Sequence, residues 1–352
     1  MTTEPLPAAA QAEHLTEVLR KSGVLDGGRV ADVGIESSRP TILSRIIRLR
    51  LTCEGAAAGM PRGLILKTGL PERADPKFYA GRQEVAFYAQ VAAVMPTRLV
   101  PRCFEAAWDA DSNQWHLLLE DLTDTHVIAT AWPLPPTMED CKRIIAARAR
   151  IHAHWWDDPR LGTEIGTWLP ADDSQLQQLA AKFAGFVDRV GDRLPPERRK
   201  LFERLIDAGP RLNQRYHSHR NMTILHGDSH VWNVFLPKTG ASDDVRIFDW
   251  DSWRIDVGTD DLAYMMALHW YPDLRRAFER PLLDHYHAEL MAHGVTGYDR
   301  RALDDDYRLS VLWQITTPVW QEAINIPPWI WWNNLGRTFL AVDDLECREL
   351  LS

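Results

Sequence analysis

The chain has 352 residues, of which 45% are apolar, so it can form one large domain or two smaller ones around a substantial core. Its net charge of −9 and the lack of a long Lys/Arg run argue against nucleic acid or an anionic membrane as a partner. No apolar stretch approaches the roughly 18 to 20 residues that span a bilayer, and the N-terminal segment lacks the features of a signal peptide, so we expect a cytoplasmic protein. The four cysteines form no CxxC pair, which favours reduced thiols over a zinc or disulfide framework.

The N-terminal part of the sequence is predicted to be rich in strands. The stretch AEHLTEVLRKSG has helical spacing and ends at Gly23, and the stretches TILSRIIRLRLT and GLILK then form a predicted strand hairpin whose second strand ends at Lys67. A helix is expected to begin at Asp75 and to carry Glu84 in its middle. The stretch QWHLLLEDL is a predicted buried strand, after which we place a domain boundary at Leu122.

The remainder of the chain is predicted to be mainly helical, beginning with MEDCKRIIAARARIHAHWW. Two short strand-like runs, TILHGD and VRIFDWD, are expected to pair as a small hairpin. Thr259 is expected to cap a helix whose first turn contains Asp261. These elements predict an α+β fold with a β-rich domain over 1–122 and a mainly helical domain over 123–352.

The stretch ILHGDSHVWNVF allows two functional interpretations. In a β-strand, His226, Asp228 and His230 would share one face and could hold the metal of a hydrolase. In a loop that ends at Asn233, the same residues are typical of a phosphoryl-transfer site.

Residues elsewhere in the chain favour the second interpretation. The sequence contains a lysine at the end of a strand (Lys67), a glutamate within a helix (Glu84), an HGDxxxxN loop, and a strand that ends in Asp249. Phosphoryl transfer from ATP needs a cation on the phosphates, a partner to hold it, oxygen ligands for magnesium and a carboxylate facing the acceptor hydroxyl.

The sequence resembles the aminoglycoside phosphotransferase and choline kinase superfamily and, within it, the ecdysteroid-kinase-like group. The resemblance extends from about Ser37 to His269, and its most specific parts are HGDSHVWNVF and IFDWDSW together. The segments LILK, EVAFY, LLLEDL and RIHAHWW occur in the expected order. The resemblance implies a protein-kinase-like bilobal fold with a β-rich N-terminal lobe and a mainly helical C-terminal lobe.

Five residues correspond to the central site of the family. The resemblance implies that Asp228 is the catalytic base and that Asn233 and Asp249 are magnesium ligands, in keeping with the preference of this ion for oxygen. It also implies that Lys67 contacts the α- and β-phosphates of ATP while Glu84 pairs with this lysine.

The nucleotide is expected to contact two further segments. Backbone groups of Glu120, Asp121 and Leu122 correspond to the hinge that binds adenine. The segment GIESSRPTILS has a single glycine in place of a glycine-rich phosphate loop, so Ser37 and Ser38 are expected to supply backbone and hydroxyl donors.

Two residues are expected to support the loop that contains Asp228. His226 is predicted to brace it by hydrogen bonds, and Asp261 resembles the family residue that does so from the following helix. Gly227 occupies the position where protein kinases have an arginine, which favours a kinase of small molecules.

The acceptor site is expected to use residues near the loop and aromatic residues near the C-terminus. Of the 15 tryptophans, several follow Pro327 and Pro328 and could stack on an apolar or cationic acceptor. The candidate substrate contacts are His230, Asp251, His269, Trp270, Trp329, Trp331 and Trp332.

The favoured hypothesis is an ATP- and Mg2+-dependent kinase that phosphorylates a hydroxyl group of a small metabolite or antibiotic-like acceptor. The alternatives are a nucleotide-binding pseudokinase module without catalysis and a metallohydrolase that uses His226, Asp228 and His230.

Overall fold

The structure is a computed structural model that describes residues 5–55, 60–70, 80–95, 98–130, 134–238 and 244–352. The chain forms two compact units. Unit 1 comprises Met1–Val127 and Phe235–Trp253, and unit 2 comprises Ile128–Val234 and Arg254–Ser352. Residues 235–253 therefore belong to unit 1, while the domain boundary at Leu122 stays a prediction.

Unit 1 contains a five-stranded antiparallel sheet with the strand order β1-β2-β3-β5-β4. The predicted hairpin is present in it as β2 and β3. Apolar residues alternate with polar ones along these strands, so one face of the sheet can be buried. The strands are β1 (Arg29–Pro40), β2 (Ser44–Glu54), β3 (Gly63–Gly69), β4 (Cys103–Trp108) and β5 (Trp115–Glu120).

The core of unit 1 lies between this sheet and the N-terminal helix α1 (Ala12–Lys21). Leu15 and Leu19 of α1 belong to one buried cluster with Leu66 of β3 and Leu118 of β5. Successive side chains of a strand point to opposite faces, so Lys67 lies on the face opposite to Leu66.

The helix that carries Glu84 is α2 (Ala80–Ala86), which continues into a π-helical turn over Phe87–Val91. The expected helix start at Asp75 lies outside the described residues. Phe87 stacks on Trp250 with ring centroids 4.0 Å apart, and Trp253 Nε1 donates to Gln83 O over 2.7 Å. These contacts fix α2 against the segment that contains Asp249.

The prediction that TILHGD and VRIFDWD pair as a hairpin is wrong. In unit 2, β7 (Thr223–Leu225) pairs with β10 (Arg254–Asp256). β9 (Arg246–Ile247) instead joins β6 (His126–Ile128) and β8 (Val234–Pro237) in a sheet that lies almost wholly in unit 1. Strands of two to four residues are too short for their own pattern to select a partner.

Unit 2 is mainly helical, as predicted. Thr137 caps the first of its helices by accepting a hydrogen bond from Asp140 N. The prediction that Thr259 caps a helix is wrong, because Thr259 is the first residue of α7 itself and its hydroxyl contacts Ser310 Oγ at 2.9 Å. The helix α7 continues into a π-helical turn over Tyr264–Leu268. The helices are α3 (Met138–His154), α4 (Ser174–Val190), α5 (Pro196–Leu212), α6 (Gln214–His217), α7 (Thr259–Ala263), α8 (Pro272–Ala292), α9 (Arg300–Trp313), α10 (Thr317–Ala323) and α11 (Pro328–Asp344).

Cys53 and Cys103 are half-buried, Cys141 and Cys347 are buried, and all four are free thiols. Among the described residues, no helix combines the length and the apolar character needed to cross a membrane.

Candidate active site

A buried cation lies between two carboxylates in unit 1. Lys67 Nζ is 2.6 Å from Glu84 Oε2 and 2.5 Å from Asp249 Oδ1. The side chains of Lys67 and Glu84 are 8% and 1% exposed, whereas that of Asp249 is 36% exposed. The structure thus brings together the lysine, the helix glutamate and the DWD aspartate that the sequence singled out.

The carboxylates keep Lys67 charged. Burial by itself lowers the pKa of Lys67, but the charges of Asp249, Glu84 and Asp251 raise this pKa above its ordinary value. Burial raises the pKa of Glu84, and the charge of Lys67 opposes that increase. Since each charge here has an opposite charge in contact, the cluster is an ion pair network in which the lysine remains a cation.

Asp249 has a backbone conformation that is uncommon for residues other than glycine, with φ at 67°. Aspartate tolerates this left-handed region better than most residues do, and such conformations cluster at functional sites. Asp251 follows two residues later, and its Oδ1 accepts from Ser252 Oγ over 2.8 Å.

The predicted hinge follows β5 directly. Glu120 N donates to Arg102 O over 2.8 Å, and Leu122 O accepts from His126 N over 2.9 Å. Asp121 Oδ2 accepts from Arg48 Nε over 2.6 Å. The N–H of Glu120 and the carbonyl of Leu122 are therefore already used within unit 1.

Ser37 and Ser38 lie near the end of β1, just after a register shift between Ile35 and Ser37. Such a bulge increases the local twist of a strand. Ser37 is exposed, and Ser38 Oγ accepts from Arg45 Nη1 over 3.2 Å.

Asp228 is held by three side chains of unit 2. Its Oδ1 accepts from the hydroxyl of Tyr264 over 2.5 Å, and its Oδ2 accepts from Asn233 Nδ2 over 3.0 Å. His230 Nε2 lies 3.3 Å from the same Oδ2. Asp228 thus has a defined orientation while its side chain stays 30% exposed.

These contacts also keep Asp228 ionised. Burial alone raises its pKa, but His230, the Tyr264 hydroxyl and His226 together lower the pKa well below its ordinary value. The carboxylate can accept hydrogen bonds at neutral pH, although its affinity for a proton is low.

Asp261 organises the loop from α7. Its carboxylate accepts from His226 N and Gly227 N, each over 3.0 Å, and lies 3.3 Å from both Arg148 Nη1 and His152 Nε2. Asp261 is 1% exposed; burial raises its pKa, but His152 and Arg148 outweigh this effect and lower it.

Gly227 and His226 complete the turn before Asp228. Gly227 has φ at 83°, a conformation that favours glycine. His226 is fully buried, and its Nδ1 accepts from Asp228 N over 3.2 Å. Among the described residues, His226, Asp228 and His230 do not form a group whose metal-binding atoms converge, so the geometry gives no support to the metallohydrolase.

The candidate acceptor residues of unit 2 differ in exposure. His269 is buried, its Nδ1 donates to Tyr264 O over 2.8 Å, and burial lowers its pKa to about 3. Trp270 is fully buried and Trp331 is 6% exposed, whereas Trp329 is 72% and Trp332 37% exposed. Only the last two of these four rings present substantial surface to a ligand.

Each unit contains a cavity. The cavity in unit 1 has a volume of about 1280 Å³ and is lined partly by Arg48, Tyr88, Cys103 and Glu120, but not by Lys67. One cavity in unit 2 has a volume of about 640 Å³. Asp228 is not among the residues that line this cavity, so we do not assign the cavity to the acceptor.

Several residues that hold Asp228 and its loop were not predicted. Tyr264 lies three residues after Asp261, so helical spacing is the one signal that could have placed both on the same side of their helix. Arg148 Nη2 donates to Ser229 O over 2.6 Å, and His152 Nδ1 is 2.7 Å from Tyr286 Oη. These contacts join residues far apart in sequence, and no local pattern indicates them.

Comparisons with known proteins are consistent with this architecture. The model of the ecdysteroid kinase-like family matches residues 166–295, more than a third of the chain. No curated protein sequence matches the chain significantly.

Two solved structures show the fold. A candidate aminoglycoside phosphotransferase of Ralstonia eutropha JMP134 is 13% identical, with a TM-score of 0.58 over 96% of this chain and 98% of that one. A choline kinase of Cryptosporidium parvum Iowa II is 10% identical, with a TM-score of 0.51 over 96% of each chain.

The comparisons confirm the resemblance predicted from the sequence motifs. Identities this low establish the fold. The chain has the protein-kinase-like fold of the aminoglycoside phosphotransferase and choline kinase superfamily, and its residues 166–295 match the ecdysteroid kinase-like family.

Proposed function

We propose that this protein is a kinase that transfers the γ-phosphoryl group of ATP to a hydroxyl group of a small molecule. The observation that carries the proposal is the contact of buried Lys67 with both Glu84 and Asp249. A buried cation held by carboxylates from a helix and from a separate segment is costly to assemble for stability alone. It is well suited to receive the phosphates of a nucleotide.

Asn233 and Asp249 fit magnesium by their chemistry. Asn233 donates its Nδ2 to Asp228, which leaves its amide oxygen as the group that could bind a cation. The carboxylate of Asp249 is 36% exposed, and amide and carboxylate oxygens are the ligands that Mg2+ prefers. When bound, Mg2+ would neutralise charge on the phosphate oxygens.

Asp228 would orient the acceptor hydroxyl and take its proton. The acceptor oxygen forms the new P–O bond while the bond from the γ-phosphorus to the bridging oxygen breaks, and ADP leaves. A loose transition state transfers the proton late, so an aspartate of low pKa is adequate. Tyr264 and Asn233 would act by fixing the direction of this carboxylate.

The hinge would bind adenine through the groups that remain available. The N–H of Glu120 and the carbonyl of Leu122 are already bonded, so we assign the carbonyl of Glu120 and the N–H of Leu122 to adenine. Arg48 pairs with Ile65, which is two residues from Lys67 on the same strand, so Arg48 and Lys67 lie on the same face of the sheet. Arg48 and its partner Asp121 would border the adenine. Ser37 and Ser38 remain the proposed donors to phosphate.

The proposed acceptor is a small alcohol with an apolar or cationic part. Trp329 and Trp332 on α11 offer exposed aromatic surface, which can stack on such a molecule. His230 and Asp251 are the proposed polar contacts.

The test is ATP turnover with a panel of hydroxyl compounds, for wild type and for Asp228→Asn. The control is Asp273→Asn, since the side chain of Asp273 is 96% exposed. We expect Asp228→Asn to lower kcat by about 100-fold or more and Asp273→Asn to leave it unchanged. Equal product rates for wild type and Asp228→Asn would refute the role of Asp228.

Calorimetry tests nucleotide binding, which both the kinase and the pseudokinase alternative require. Binding of ATP that requires Mg2+ and is lost in Asp249→Asn, together with no transfer to any acceptor or to water, would favour a pseudokinase. Absence of ATP binding would overturn both hypotheses.

A further inference from the structure

Two histidines and a glutamate of unit 1 converge on the face of its sheet that is opposite to Lys67. His14 lies on α1, Glu105 on β4 and His116 on β5. His14 Nε2 and His116 Nε2 are each 2.7 Å from the same oxygen, Oε2 of Glu105. The three potential ligand atoms all lie within 4.8 Å of one another.

The fold produces this convergence. Glu105 pairs with Leu118 across the β4–β5 ladder, and His116 is two residues from Leu118, so both side chains lie on the face of the sheet that Leu118 buries against α1. His14 precedes Leu15, which belongs to the same buried cluster. The packing of α1 on the sheet therefore fixes the position of the first histidine relative to the other two residues.

We propose that His14, Glu105 and His116 form a binding site for one Zn2+ ion. Two imidazole nitrogens and one carboxylate are a ligand set that zinc uses with a water molecule in the fourth position. Magnesium and calcium favour sites made of oxygen alone, which this set is not. The proposal is independent of the proposed kinase activity.

The distances require little movement. Zinc ligands lie about 2.0–2.2 Å from the metal, so two of them in a tetrahedral site are about 3.3 Å apart. The present contacts of 2.7 Å would open by less than about 1 Å, which side-chain rotation can provide. The side chains are 36%, 26% and 23% exposed, so an ion from solvent can reach them and water can complete its coordination.

A bound ion would join α1 to β4 and β5. It binds the folded arrangement, in which the three residues are close, better than the unfolded chain, in which His14 and Glu105 alone are 91 positions apart in sequence. It therefore stabilises the attachment of the N-terminal helix in proportion to the zinc concentration.

A second group, at the C-terminal end of α8, supplies a matched control. Glu289 lies between His285 and His293, but the nitrogen–oxygen distances are 3.8 and 3.6 Å and involve different carboxylate oxygens. This group has the same residue types without the convergence, so His293→Gln is the control for His14→Gln and His116→Gln.

The experiment is calorimetric titration of the chelator-treated full chain with ZnCl2, with MgCl2 as the comparison. We expect the wild-type chain to bind one Zn2+ ion and to show no comparable Mg2+ binding. The Kd for Zn2+ should rise by more than about 100-fold in His14→Gln or His116→Gln. Loss of a direct ligand should weaken binding more than loss of a residue that only hydrogen-bonds to a ligand, which costs about 10- to 100-fold. His293→Gln should bind zinc as wild type does.

Spectroscopy keeps the test decisive if a variant folds poorly. The wild-type chain loaded with Co2+ should show the strong visible absorption of a tetrahedral site, and Zn2+ should displace it. Absence of zinc binding and of this absorption would show that the cluster is only a hydrogen-bonded group. Zinc binding that persists in both His14→Gln and His116→Gln would also overturn the proposal.

Discussion

Replacement of Lys67 by methionine tests the charge balance of the buried cluster in unit 1. Methionine keeps much of the volume and removes the charge, so Glu84 is left 1% exposed with no cation in contact. At an effective dielectric constant of about 20, charges 2.6 Å apart attract by about 6 kcal/mol, and desolvation offsets much of this gain. Breaking such a buried pair from one side costs about 3–5 kcal/mol.

The matching variant on the other side should be milder. Glu84→Gln leaves Lys67 in contact with Asp249, which is 36% exposed and partly solvated, so we expect a cost of about 1–3 kcal/mol. In Lys67→Met/Glu84→Gln the orphaned buried charge is absent. The combined cost should therefore fall short of the sum of the single costs by about 1–3 kcal/mol.

The assay is urea unfolding followed by two spectroscopic probes, with Lys142→Met as the control because Lys142 is exposed. The control should stay within about 0.5 kcal/mol of wild type. The reasoning is refuted if Lys67→Met is as stable as the control, or if Glu84→Gln costs more than Lys67→Met.

The pH dependence provides a further check on this cluster. Because the folded-state pKa of Lys67 is raised, its contribution to stability is fully present below the ordinary lysine pKa of about 10.4 and is lost progressively as pH rises from there through the raised value. The difference between wild type and Lys67→Met should thus stay constant from neutral pH to about pH 10. A difference that disappears already near pH 8 would contradict a charged, paired lysine.

Three further predictions concern the loop of unit 2. Because the pKa of Asp228 is lowered, its stabilising effect is present above the ordinary aspartate pKa of about 4 and is lost only as pH falls toward the lowered value. The carboxylate therefore stays ionised at higher pH, and the kcat–pH profile should show no Asp228 inflection between about pH 5 and 9. An acid limb in that range that survives His230→Gln would contradict this. Tyr264→Phe removes the 2.5 Å hydrogen bond to Asp228 and should lower kcat about tenfold with an unchanged KM for ATP; an unchanged kcat would show that this contact does not orient the base. Asp261→Asn weakens the hydrogen bonds of this side chain to two backbone N–H groups and removes the carboxylate charge that Arg148 contacts. The free energy of unfolding should therefore fall by about 3–5 kcal/mol. A loss below about 1 kcal/mol in urea unfolding would refute the organising role of Asp261.

The elements that the sequence predicts well are those with long, regular patterns. The helix ending before Gly23, the β2–β3 hairpin and the helix Met138–His154 each extend over enough residues for burial to enforce one periodicity. The family resemblance implied that Lys67 and Glu84 pair, and the structure places Glu84 and also Asp249 against the lysine.

The features that escaped prediction depend on contacts between distant segments. The short strand Thr223–Leu225 pairs with Arg254–Asp256 because the intervening chain leaves and re-enters unit 2, which no local pattern encodes. Thr259 looks like a helix cap, yet its hydroxyl is used by Ser310, 51 positions away. Trp331 looks like an exposed aromatic after two prolines, yet it packs against Phe186 with ring centroids 5.5 Å apart.

The unequal exposure of the two partners of Lys67 bears on how a nucleotide could enter the site. The contact with Glu84 is buried on both sides, and exchanging it for another anion would leave a carboxylate without solvent or cation, which is unfavourable. Asp249 is 36% exposed, so water can take over part of its solvation when it leaves the lysine, and the cost is lower. In the proposed kinase, an incoming phosphate would therefore replace Asp249 and retain Glu84, and the carboxylate of Asp249 would then be available to a metal ion.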